Sequence, residues 1–70
     1  MVTTNVIPVG FGLDLLVVKT DERSDSTKVT VTYKGKSRSK TFRGEVSHHD
    51  AARWAHDLTS PIVFGVKSAI

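Results

Sequence analysis

The stretch Lys28-Val29-Thr30-Val31-Thr32-Tyr33, followed by Lys34-Gly35-Lys36 and then Ser37-Arg38-Ser39-Lys40-Thr41-Phe42, decides the fold. Its first six residues alternate strictly and are β-branched, the pattern of a half-buried strand. Gly35 accepts a positive φ and supplies a turn. Residues 37–42 return as the second arm of a hairpin. Outward from it, Gly44 ends the hairpin and Ser47-His48-His49-Asp50 reads as a capping box with Ser47 at the N-cap. A helix is predicted from there to about Leu58, with Ala51, Trp54, Ala55 and Leu58 on one apolar stripe. Thr59-Ser60-Pro61 then stops it. Ile62 to Val66 is short and apolar, suited to a final strand or a packed tail.

Upstream, residues 11–20 form a strand that is greasy on both sides. Leu13, Leu15 and Val17 lie on one face, and Leu16 and Val18 on the other. A two-faced apolar strand needs cover on both sides. The cover is the N-terminal arm, the C-terminal tail or a second copy of the chain, the last through a homodimer at this strand. Residues 1–10, with Pro8 and Gly10, read as that arm, and residues 21–26 as a polar loop. The expectation is a single α+β domain over residues 1–70, with its core in residues 11–66. In it a three- or four-stranded antiparallel sheet carries one helix on one face, in the order β-β-β-α with room for a final short β.

Register decides where the charges go. A two-residue Lys34-Gly35 loop sets Val29 opposite Lys40 and Val31 opposite Arg38, placing cations on the valine face. A three-residue loop of Tyr33, Lys34 and Gly35 pairs Thr32 with Lys36 and Thr30 with Arg38. Burying unpaired cations is expensive, so the second register is expected. Lys28, Thr30, Thr32, Lys36, Arg38 and Lys40 then share one basic, threonine-lined face away from the helix, with Arg43 at its rim. That face is a candidate for binding nucleic acid or a partner protein. The competing interpretation is a row of ordinary solubilising charges.

The string Val29-x-Val31-x-Tyr33-x-Gly35-Lys36, then Lys40-Thr41-Phe42, then Ala52-x-Trp54-Ala55-x-x-Leu58 resembles the arm-type DNA-binding domain of tyrosine recombinases. There three antiparallel strands lie in the major groove with a helix behind them. Over residues 28–58 the resemblance implies that Lys28, Thr30, Thr32, Lys36, Arg38 and Lys40 meet phosphates and base edges. The chain departs from that pattern in its apolar first strand bearing Asp14, and no catalytic domain is expected to follow. Gly35-Lys36-Ser37, Phe42, Trp54 and the apolar stretch from Ile62 to Val66 are also similar to the layout of small phage anti-CRISPR proteins of the type I-F inhibitor kind. That similarity implies docking on a host nucleic-acid-handling complex, which blocks its target DNA without catalysis.

Composition sets limits on these readings. The 70 residues are 39% hydrophobic and 24% charged, which suits an ordered domain near the lower size limit for an independent core. Cysteine is absent, which excludes disulfides, thiolate metal sites and a catalytic thiol. Ten Lys and Arg against seven Asp and Glu give +3, a balance that permits a nucleic-acid or acidic-protein partner. No segment approaches the roughly 20 apolar residues of a membrane span. The first five residues lack a basic n-region, so no secretory leader is expected, and the cytoplasm is the expected compartment (the host's, for a phage protein).

His49 and His56 share a helix face but stand about 10 Å apart along the axis, too far to share an ion, with Arg53 between them. A Ser47, His48 and Asp50 nucleophile would spend a serine needed for capping, and so small a domain offers little pocket. Gly10-Phe11-Gly12 precedes a strand and lacks the helix N-terminus that a phosphate loop uses. Trp54 at helical spacing with Ala51, Ala55 and Leu58 reads as core, with an interface anchor as the alternative. The expected function is binding without catalysis, metal or cofactor. DNA is the leading partner and a host nucleic-acid-handling complex the alternative.

Overall fold

The computed structural model of the protein describes residues 1–65. Four strands, β1 (Val2–Val9), β2 (Asp14–Glu22), β3 (Ser26–Tyr33) and β4 (Lys36–Arg43), form one antiparallel sheet in chain order, followed by a single helix, α1 (Ser47–Val63). The fold is α+β, with the helix on one face of a meander. Residues 1–10, expected as an arm, are largely a strand. Pro8 is tolerated there because β1 is an edge strand, where a missing N–H leaves no gap in a central ladder. The second strand starts later and ends later than expected, so the polar loop shrinks to residues 23–25.

Strand parity divides the side chains between two faces. Leu16, Val18, Val29, Val31 and Tyr33 face the helix, and Leu16, Val29 and Val31 are almost fully buried. They meet Ala51, Leu58 and Ile62 from α1, with Trp54 and Ala55 packed at the margin. The helix starts beside the far end of β3, where the hydroxyls of Ser47 and Thr27 hydrogen-bond at 3.1 Å. Trp54 then tilts against Phe42 of β4, with ring centroids 6.2 Å apart. The C-terminal turn ends near Val9, Tyr33 and Lys34. The helix therefore runs diagonally from the β4 side toward β1 and covers only part of the sheet.

Two details of α1 differ from expectation. Val46 holds the N-cap position and no side chain caps the helix. Ser47 lies inside the first turn, and its buried hydroxyl is committed to Thr27 rather than to a backbone amide. The helix also continues through Pro61 to Val63. An interior proline costs about 3 kcal/mol, but the extra turn brings Ile62 to 3% exposure. Burying that side chain returns about 1.5–3 kcal/mol. The stretch from Ile62 to Gly65, expected as a strand or tail, is thus helix and turn, and Val66 lies outside the described residues.

The other face of the sheet has no helix. On it Leu15 and Val6 are more than half exposed, and Leu13 and Phe11 in the loop joining β1 and β2 project into solvent. The two-faced apolar strand is thus β2, covered on one face only. Both edges of β2 are taken by β1 and β3, so a second copy could cover this strand only by packing on its open face, where Leu15 is exposed. No helix among the described residues is long and apolar enough to cross a membrane.

Candidate nucleic-acid interface

The turn between β3 and β4 contains two residues, Lys34 and Gly35, with Tyr33 opposite Lys36. Both take positive φ, 52° and 74°, as a type I′ turn requires. Val29 therefore pairs with Lys40 and Val31 with Arg38, and the three-residue loop expected from the sequence is not formed. The proposed single basic face divides in two. Lys28, Thr30, Thr32 and Arg43 lie on the open face, in rows with Thr41, Ser39, Ser37 and Ser26. Lys36, Arg38 and Lys40 lie on the helix side of the sheet.

The expectation rested on burial, and burial is what the edge position removes. β4 is the outer strand and α1 veers away from it, so Lys36, Arg38 and Lys40 stay exposed although they share a face with buried valines. Lys40 reaches back over Phe42, its ammonium 5.2 Å from the ring centroid, and shields the edge of the aromatic pair with Trp54. Along β4 the three cations recur every two residues, about 6.8 Å apart. That is close to the axial rise of two nucleotides on one DNA strand, about 3.4 Å each.

The charge distribution is lopsided. Residues 26–43 hold Lys28, Lys34, Lys36, Arg38, Lys40 and Arg43, six of the ten cations, and none of the seven carboxylates. This hairpin carries +6 and the remainder of the chain −3. Among the described residues, Lys28, Lys36, Arg38, Lys40 and Arg43 have no ion-pair partner. Lys34 approaches Asp14 at 3.9 Å, in an exposed pair. Seven Ser and Thr hydroxyls accompany these charges in the same 18 residues and are suitable donors to phosphate oxygens.

Two cations escaped the sequence reading. Lys19 of β2 stands opposite Thr30 on the open face and lines a shallow dent with Asp21, Lys28 and Thr30. Lys34 occupies the turn itself. Counting charge over the whole hairpin, instead of over one face, would have included Lys34. Lys19 is visible only once β2 is known to neighbour β3.

The remaining candidates fall elsewhere. His48, His49 and His56 are exposed on α1, and no group of three metal-ligating side chains exists among the described residues. A separate open cleft of about 590 Å³ lies between the β1–β2 loop and the end of α1. Phe11, Tyr33 and Phe64 line it, with Asp14 and Lys34 as its charged groups. Comparison with protein-family models, curated proteins and solved structures finds no match to this chain.

Proposed function

We propose that this protein is a non-enzymatic binding module that engages duplex DNA through the β3–β4 hairpin. The observation that carries the reading is the +6 charge on 18 consecutive residues without a carboxylate, set on an exposed sheet edge. Unpaired cations at that density attract a polyanion and release its counterions. The split register favours edge-on docking, with β4 leading. A two-stranded ribbon fits the major groove, about 12 Å wide. Lys36 and Lys40 then approach one phosphate backbone, while Lys28 and Arg43 approach the other. Arg38, central on β4, is the side chain suited to a bidentate guanine contact.

The test is anisotropy of a labelled duplex titrated between about 50 and 200 mM salt; contact with four or five phosphates predicts a log–log slope near −4, or about 250-fold weaker binding across that fourfold range. Lys28→Ala and Lys36→Ala should each reduce the slope by about one, because edge-on docking uses both faces. The triple change Lys36→Glu, Arg38→Glu and Lys40→Glu should abolish binding while leaving the fold intact. Folded wild type without salt-dependent DNA binding refutes the reading. The anti-CRISPR-like alternative, an acidic surface on a nucleic-acid-handling complex, then becomes the better account of the same cations.

A further inference from the structure

The two edges of the sheet are chemically opposite. β4 carries four cations, whereas β1 (Val2-Thr3-Thr4-Asn5-Val6-Ile7-Pro8-Val9) carries none and no carboxylate. Charges are a usual guard against edge-to-edge pairing, and β1 lacks them. The hydrogen-bond phase of β1 follows from its first residue. The Met1 amino group donates to the Glu22 carbonyl at 2.7 Å, and the Glu22 N–H donates to the Met1 carbonyl at 2.8 Å. Antiparallel ladders alternate, so Thr3, Asn5, Ile7 and Val9 bond inward to β2. Val2, Thr4, Val6 and Pro8 turn their backbone groups to the free edge. Pro8, the residue without an N–H, falls in the outward set, as this phase requires.

We infer that β1 pairs antiparallel with β1 of a second copy about a two-fold axis at Thr4. This register sets Val2 opposite Val6 of the other copy and Thr4 opposite Thr4, giving about six interchain hydrogen bonds from three reciprocal pairs. Pro8 lies beyond the ladder, so no bond is lost to it. A shift by two residues would set Pro8 opposite Val2 and forfeit one bond at each end, so the longer ladder gains none over this register. The sequence Val2-Thr3-Thr4-Asn5-Val6 is nearly symmetric about its centre, with valine at both ends and small polar residues between. A copy of the same strand is therefore its natural complement, and no like charges meet along the ladder. Val2 and Val6, about half exposed in the single chain, cover one another across the junction on the open face.

Light scattering coupled to gel filtration, from micromolar to millimolar protein, should show the mass rising from 7.7 kDa to twice that value. Thr4→Pro removes an outward N–H and leaves the bonds to β2 in place, so it should stay monomeric with an unchanged circular dichroism spectrum. Thr4→Lys and Thr4→Glu should each be monomeric alone, and their equimolar mixture should dimerise. Wild type that remains at 7.7 kDa at the highest concentration overturns the inference. So does Thr4→Pro that dimerises like wild type. If Thr4→Pro fails to fold, the charge-swapped pair decides: a mixture that stays monomeric refutes pairing at Thr4.

Discussion

Replacing Lys34 by its mirror image, Lys34→D-Lys, tests the turn that sets the placement of every cation on the hairpin. In the two-residue turn Lys34 sits at φ 52°, a left-handed conformation that disfavours L-residues by roughly 1–2 kcal/mol. A D-residue prefers that region, and the change keeps the charge, the Asp14 pair at 3.9 Å and the approach to the Tyr33 ring within reach. That pair is exposed and contributes little on its own. The expected gain is therefore the backbone relief, about 1–2 kcal/mol. In a domain of this size it corresponds to a Tm higher by about 4–16 °C. The protein can be assembled by chemical synthesis and unfolded thermally, with far-ultraviolet circular dichroism as the readout. In the three-residue loop Lys34 would take a right-handed φ and the D-residue would destabilise the protein. The two registers thus predict opposite signs, and a lowered Tm refutes the face assignment given above. Lys34→Asn is the encoded companion, because asparagine tolerates the left-handed region better than lysine does.

Thr27→Val leaves the buried Ser47 hydroxyl without its partner and should cost about 1–3 kcal/mol, whereas adding Ser47→Ala should recover most of the loss. Chemical denaturation of both single variants and the double variant measures that coupling, and purely additive costs would show that the 3.1 Å contact contributes nothing. Leu16→Ala removes a fully buried side chain and should destabilise by about 2–5 kcal/mol. That is a large share of the roughly 3.5–10 kcal/mol that a chain of this length commands. Leu15→Ala, next in sequence and on the open face, should cost less than about 1 kcal/mol in the monomer. Urea midpoints compare the two, and equal losses would mean that the open face is covered.

The elements with strong local signals were legible. Strict alternation marked β3, Gly35 marked the turn, and the Ala51, Trp54, Ala55 and Leu58 stripe marked α1. The failures share a cause, since each depended on where an element sits among its neighbours. Pro8 and Gly10 resemble breakers until β1 is known to be an edge strand, where an outward proline is harmless. Pro61 resembles a stop until Ile62 is seen to reach the core one turn later. The register of β4 was misjudged because facing the same way as Val29 and Val31 was equated with burial. On an outer strand beside a diagonal helix, a lysine can share the core's face and still stand in water. As for the candidate site, the sequence grouped its residues on one face, whereas the register divides them between two.

The unequal edges of the sheet limit how far assembly can go. Pairing about a two-fold axis uses up the bare edge of both copies and leaves a cationic β4 at each end. Those terminal strands repel one another, and neither can be extended by a further β1, because none is left free. Growth therefore terminates at two chains, a closed isologous pair rather than a fibre. A sheet with two bare edges would have no such stop.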